Sequence, residues 1–304
     1  MPKKDNKSEV PKLDAVQLLS HLFGDWKEPT EDLYESFHID RIENYRNLIK
    51  LPILPHRRSV FYFVYVASGK ITRSKLLNQY EVLPNNFFFI AANVTTSIED
   101  IAPDTTGFYC HFHPRIFQQL RPQLDLHMDF SFFDLTAEPI IPVADSQPLV
   151  RLMEALKREY DKHQNKRFEL IPLYLLTLLT EVKLANPPSS DHQKIKDPAA
   201  LLTMRYKRAI LELMYEKSKV FEYAEYLSVT PNHLNKYVKA ATGKSARDLL
   251  SEMKIMEAKV LLKQTDLGIG EIAYKLGKMS QSDFSRFFKS KTSLTPKQYR
   301  KNTP

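Results

Sequence analysis

Cysteine is almost missing from this 304-residue chain. Cys110 stands alone, so no internal disulfide can form, and without a CxxC pair the usual thiolate frame for structural zinc is excluded as well. No apolar run approaches the roughly 18 residues that a membrane-spanning helix needs. The opening MPKKDNKSEVPK is basic but lacks the apolar segment of a signal peptide. These absences predict a soluble, cytoplasmic protein with no membrane partner.

What is present suits two folded bodies. A chain of this length can bury two separate cores, and a hydrophobic content of 43% is ordinary for globular proteins. The net charge of +8 is unevenly spread. Residues 199–304 hold 20 Lys and Arg against 10 Asp and Glu, while the rest of the chain holds 24 against 26. Basicity confined to one end points to a polyanion as the partner of that end.

The stretch 269–300 gives the partner a shape. Ile272, Ala273 and Leu276 share a helical face, and Gly277 sits where that helix has to stop. Ser280 is a good N-cap for a second helix, in which Phe284, Phe287 and Phe288 face inward at i, i+3 and i+4. Gln281, Ser282, Ser285, Arg286 and Lys289 take its outer face. Two short helices with a tight turn and a polar, basic second helix predict a helix-turn-helix, the motif that lays its second helix in the major groove. The pattern occurs twice. Ala224 and Leu227 repeat the spacing of Ala273 and Leu276, Ser228 stands for Gly277, and Thr230-Pro231 opens a helix whose inner face is Leu234, Tyr237 and Val238. The second turn is one residue longer than the first.

From about Ala199 onward the chain resembles the DNA-binding domain of the AraC/XylS family of transcription regulators. Gly243-Lys244-Ser245, Leu261-Leu262, Ile272-Ala273, Gly277, Phe284-Ser285-Arg286, Thr295-Pro296 and Tyr299-Arg300 carry the resemblance in order. Lys278, Ser293 and Lys254 depart from it, where the family has an aromatic, a glycine and an arginine. By position, the resemblance implies base contacts from Asn232, Asn235 and Lys236 in the first recognition helix and from Gln281, Ser282, Ser285 and Arg286 in the second. Asn and Gln pair with adenine, Arg and Lys with guanine, and Ser with either. Lys239, Lys244, Lys289 and Lys291 are placed as phosphate contacts. A helix over about 246–263, with Met253, Met256, Val260 and Leu261 available for packing, would hold the two pairs at fixed spacing.

The N-terminal part reads as β. After a short amphipathic helix on Leu13, Val16, Leu19, Leu22 and Phe23, and with residues 1–12 expected to be unstructured, strands are predicted at 59–66, 71–73, 80–82, 87–91, 96–101 and 106–113, separated by turn formers. Their order suggests a sandwich or small barrel, and it resembles the cupin-like sensor barrel that precedes the DNA-binding domain in this family. A cavity inside it would hold a small-molecule effector, with His56, Tyr62, Arg73, His111 and His113 as candidate ligand contacts. His111 and His113 alternate along one strand, but no acidic residue stands beside them at the spacing metal-dependent cupins use, so no metal is expected. Helices over 148–160 and 168–184 carry apolar stripes, and the resemblance implies a homodimer built on them. NPPSSDHQKIKDP reads as a linker.

The fold expected is therefore α+β and multidomain, with a cupin-like β-barrel and dimerisation helices in residues 1–185, a linker at 186–198, and an all-α double helix-turn-helix domain in 199–304. The function expected is a sequence-specific DNA-binding regulator responding to an effector, without catalytic residues or a cofactor, with promoter DNA as partner and RNA polymerase as a second one. Two alternatives remain open: an N-terminal domain that binds a protein partner, and a metal-dependent cupin enzyme fused to a DNA-binding domain.

Overall fold

Strand texture organises the first half of the computed structural model, which describes residues 10–23, 31–135, 137–162, 169–186 and 197–301. The chain divides into two units, residues 11–192 and residues 193–304 together with 1–10. In the first, β1 (Lys12–Leu13), α1 (Ala15–Phe23), α2 (Glu31–Tyr34), β2 (Phe37–Arg41) and α3 (Ile42–Tyr45) lead into β3 (Ile53–Arg58), β4 (Phe61–Ser68), β5 (Ile71–Lys75), β6 (Asn78–Val82), β7 (Asn86–Ile90), β8 (Thr96–Ile101) and β9 (Thr106–Phe112). A short α4 (Leu126–Asp129) and β10 (Ile140–Pro142) follow, then α5 (Gln147–Asp161) and α6 (Leu170–Ala185). All six predicted strands are present. Lys12 lies in a strand rather than an unstructured tail, and residues 1–9 fall outside the described residues. In α1 the buried side chains are Ala15, Leu18 and Leu22, whereas Val16 is exposed.

No sheet closes into the barrel that was expected. Two five-stranded sheets run in the orders β1-β3-β8-β5-β6 and β10-β7-β4-β9-β2, and neither closes on itself. Closure requires the two edges of a sheet to pair. Here β1 and β10 are edges of two and three residues, each bonded to one neighbour only. Strand β4 lies between β7 and β9, and its residues from Phe61 to Val66 are all buried, which is why it reads as a continuous apolar run without alternation. The core around it is aromatic: the Phe89 and Phe132 rings stack with centroids 4.2 Å apart, and Phe133 meets Phe61 edge-on at 4.9 Å.

A chain of hydrogen bonds runs through this unit. The His56 Nδ1–H donates to the Leu54 carbonyl at 2.9 Å, so its Nε2 accepts from Arg58 Nε at 3.1 Å. Arg58 Nη1 donates to the Tyr109 hydroxyl at 2.9 Å, Tyr109 donates to His111 Nδ1 at 3.0 Å, and His111 Nε2–H donates to the Tyr34 carbonyl at 2.8 Å. Each ring is thereby held as one neutral tautomer. His38, bonded to the Tyr160 hydroxyl at 2.9 Å, lies beside His111 with ring centroids 5.4 Å apart.

The second unit is helical: α7 (Pro198–Leu213), α8 (Val220–Tyr226), α9 (Pro231–Thr242), α10 (Ala246–Gln264), α11 (Ile269–Lys275), α12 (Gln281–Thr292) and α13 (Pro296–Lys301). Helix α10 buries eleven residues, including Leu249, Met253, Ala258 and Leu261, while Met256 is half-exposed. Each short helix has a chemical reason to start. The Ser245, Ser280 and Thr295 hydroxyls accept the backbone N–H three residues on, at 3.1, 3.1 and 3.2 Å. Glu222 and Glu271 accept from the backbone N–H of Lys219 and Gly268, both at 2.6 Å.

Burial pushes the His111 pKa down to about 3, against the pull of the Tyr34 carbonyl. Burial first, then the neighbouring His111 and Lys157, holds His38 well below its ordinary value, and burial, then Arg58, does so for His56. An unfolded histidine titrates near 6.5. Below that pH the unfolded chain binds more protons than the folded one, so stability is complete above about 6.5 and is lost as pH falls toward about 3. Melting curves taken between about pH 7.5 and 5.5 are expected to show Tm falling with pH, and His111→Gln is expected to flatten the fall. A Tm that does not move over that range would contradict the neutral buried rings.

Candidate nucleic-acid interface and sensor cavity

The recognition helices of the two helix-turn-helix copies align position by position. Leu234 and Phe284 are fifty positions apart, and with that offset the recognition helices α9 and α12 show the same order of buried and exposed positions except at Asn235, which is exposed, and Ser285, which is half-buried. Leu234, Val238, Phe284 and Phe288 are buried, and Tyr237 and Phe287 are half-buried. Asn232, Lys236, Lys239, Gln281, Ser282, Arg286 and Lys289 are all exposed, so the outward face predicted from the sequence is the outward face in the fold. Lys244 and Lys291 are exposed beyond or at the ends of these helices.

The turns correct one detail. Val229 N–H and Met279 N–H donate to the carbonyls of Ala224 and Ala273, which aligns Ser228 with Lys278, not with Gly277. Ser228 and Lys278 are the left-handed residues, at φ 58° and 53°. Gly277 is the extra residue of the longer turn, at φ 155°, and a Cβ there would stand 3.0 Å from Lys254 Nζ. Lys254 is itself buried and donates to the Ser218 carbonyl at 3.0 Å, tying α10 to the start of the first motif.

The candidate contacts differ in how free they are. The Asn235 Oδ1 accepts the backbone N–H of Ala246 at 3.0 Å and so caps α10. At the matching place in the second copy stands Pro296, which has no N–H, and the aligned Ser285 donates to the Gln281 carbonyl at 2.8 Å instead. Arg286 pairs with Asp283 one turn back, with its side chain 80% exposed. The Ser280 hydroxyl, and then that guanidinium, lower the Asp283 pKa. Lys244 pairs with Glu252 at 2.8 Å, and Lys291 reaches Asp248 at 3.9 Å. Among the described residues, Lys236, Lys239 and Lys289 have no carboxylate within ion-pair distance. Sequence reasoning missed the stacked His233 and Tyr237 rings, 4.2 Å apart at i, i+4 on α9. It also missed that Arg300 is structural, donating to the carbonyls of Leu262 and Leu267 at 3.0 and 2.6 Å.

In the N-terminal unit a cavity lies between the sheets' inner residues and the early helices. Leu22, Ile42, Ile49, Ile71, Ile98 and Ile101 make it apolar, and Arg58, Arg73, Tyr109, Tyr45, His38 and Asp40 are its polar groups. Of the five candidate ligand residues only Arg73 lines it. Tyr62 is one bond away, accepting from Arg73 Nη2 at 2.6 Å and donating to the Thr96 hydroxyl at 3.0 Å. His56 and His111 are committed to the hydrogen-bond chain, and His113 accepts the Arg115 backbone N–H at 3.1 Å at the start of a 3-10 turn. The fold does not gather the three histidines into a metal-binding group, and no cluster of three or more His, Cys, Asp or Glu suited to a metal occurs among the described residues. His38 was not foreseen as a cavity residue, because strands distant in sequence bring it together with Arg58, Arg73 and Tyr109.

A helix-turn-helix domain family matches residues 223–302. The chain is 30% identical over 125 residues to the xylose operon regulatory protein of Haemophilus influenzae, covering 41% of this chain and 32% of that protein. It is 26% identical over 152 residues to the transcriptional activator RhaS of Klebsiella pneumoniae, covering 50% and 52%. These matches span about a third to a half of the relatives' length. Among solved structures, the C-terminal domain of AraT, a response regulator from Geobacillus stearothermophilus, is 30% identical, covers 35% of this chain and 89% of that one, and has a TM-score of 0.33. The named relatives are transcription regulators, not enzymes. Residues 223–302 are thus a helix-turn-helix domain, similar in sequence to parts of these transcription regulators.

Proposed function

We propose that the chain is a sequence-specific, DNA-binding transcription regulator. In this reading residues 199–304 bind the promoter, 186–198 link the parts (187–196 lie outside the described residues), and 1–185 form a cytoplasmic sensor that responds to a small-molecule effector. The observation that carries it is the repeated outward face: two helices, fifty positions apart, offer the same pattern of polar side chains over the same buried anchors. Set along one side of a duplex, they enter successive major grooves about 34 Å apart. Asn232, Lys236, Gln281, Ser282, Ser285 and Arg286 read base edges, and Lys239, Lys244, Lys289 and Lys291 hold phosphates. The Arg286–Asp283 pair is exposed and worth little, so it exchanges readily for a base or phosphate. RNA polymerase is the second macromolecular partner in this reading. Cupin-like describes the order of the strands, not a closed barrel.

The regulator acts as a homodimer through α6. That helix buries Ile171, Leu175, Leu178, Leu179 and Val182 on one side, yet its other side exposes Leu173, Thr177, Thr180 and Leu184 at spacings of four, three and four. A seam with that period suits a second copy of the same helix.

Three outcomes test these assignments. Arg286→Ala is expected to cost about 1–3 kcal/mol of discrimination between the selected operator and scrambled DNA. Asn235→Ala is expected instead to lower Tm, by about 1 kcal/mol of stability from the lost cap, and to weaken both DNAs alike. Equal discrimination by Arg286→Ala and wild type in a mobility-shift titration removes the base contact. Lys289→Ala is expected to weaken binding to every sequence and to reduce the log–log salt slope by about one; an unchanged slope would remove the phosphate contact. Leu173→Glu with Leu184→Glu is expected to yield monomers in analytical ultracentrifugation with the fold intact by circular dichroism, and a persistent dimer would exclude the α6 seam.

A further inference from the structure

Arg73 is the least explained charge in the molecule. It is 1% exposed, its Nε–H has no acceptor, and its Nη2 donates only to the Tyr62 hydroxyl. Two guanidinium groups lie over the Tyr62 ring, with the carbon of Arg58 4.2 Å and that of Arg73 4.9 Å from its centroid, and the Phe88 ring centroid lies 4.7 Å from Arg73. Ring faces offset part of the cost of burying a cation, but a buried guanidinium without a paired anion remains unfavourable. Among the described residues no carboxylate lies within ion-pair distance of Arg58 or Arg73; Glu99 acts on Arg73 only from farther off. The one carboxylate on the cavity wall, Asp40, is committed elsewhere. It accepts from the Arg41 backbone N–H and the Asn44 amide, both at 2.8 Å, and stands 3.5 Å from Lys157.

We propose that this cavity is a site for a small organic monocarboxylate, with the acid group held by Arg73 and Arg58 and the apolar body against Ile71, Ile98 and Ile101. The geometry suits that class and no neutral one. A planar guanidinium with an open Nε–H accepts a carboxylate side-on. The walls around it are isoleucine, which reward an apolar body and reject a hydrated inorganic ion. A neutral ligand would leave the charge as uncompensated as before. The assignment deepens the sensor reading above and rests on it.

The test uses the full chain with hexanoate and cyclohexanecarboxylate, each compared with its primary amide at matched ionic strength. The acids are expected to raise Tm in a concentration-dependent way and the amides are not. Arg73→Met keeps the bulk and removes the charge, and it is expected to weaken acid binding about ten- to hundredfold by calorimetry. Amides that act like the acids, acids that leave wild-type Tm unmoved, or undiminished acid binding by Arg73→Met would each overturn the assignment. If Arg73→Met fails to fold, the acid–amide comparison on wild type decides alone. A mobility-shift selection from random DNA runs in parallel. Operator binding without an acid effect overturns only the carboxylate site, and no sequence-specific binding under any condition overturns the regulator reading.

Discussion

The C-terminal unit depends on the burial of α10 on nearly every side. A helix exposed along one stripe can tilt or slide against its neighbours, but α10 places eleven buried residues around its circumference, among them the charged Lys254 and Glu257. Such a helix is fixed by close packing, where even a methylene of misfit is felt. Both recognition helices inherit that rigidity. The first is pinned to the start of α10 by the Asn235 cap, and the last helix is pinned to its end by Arg300 on the carbonyls of Leu262 and Leu267. Reading two DNA segments with one chain requires fixed spacing, and this packing supplies it within the unit.

The repeat was legible because its signals are local. Helical spacing, N-caps and turn residues all lie within a dozen positions of one another, and they placed the starts of α9 and α12 and the end of α11 within a residue or two. The alignment of Ser228 with Gly277 went astray because turn conformation depends on which carbonyl each N–H finds, and only the bonds to Ala224 and Ala273 identify Gly277 as the inserted residue. Asn235 hides its role for a similar reason. Whether position 235 must cap a helix depends on Ala246, which presents an N–H, where the second copy has Pro296, which does not. One Asn and one Ser at equivalent sites thus answer two different hydrogen-bonding demands.

In the N-terminal unit the legible strands were those whose own residues favour extended backbone, such as 61–68 and 86–90. Two were missed. FHIDR and ILPHRR, which form β2 and β3, mix charged side chains and proline with few β-formers, and they become strands because β9 and β8 offer edges to pair with. The missed strand β2 also carries His38, so that polar group of the cavity went unseen with it. Strand spacing suggested a sandwich or small barrel, and the family resemblance implied the barrel; edge strands of two and three residues are what leave the sheets open.

Unpaired cations occur at both ends of the chain, and their surroundings give them opposite meanings. Lys236, Lys239 and Lys289 are exposed, so water satisfies each ammonium and leaving it unpaired costs little. Their attraction to a polyanion is screened over a Debye length of about 8–10 Å at physiological salt, which makes any such binding sensitive to ionic strength. Arg73 is enclosed, where neither water nor salt reaches it freely. An anion that enters beside it gains an interaction that salt barely weakens, and it removes a cost the folded unit otherwise carries. A ligand shifts a conformational equilibrium only by its difference in affinity between states. A cation already buried and uncompensated provides such a difference with no new contact elsewhere, since any arrangement that opens Arg73 to water loses the advantage the anion would bring.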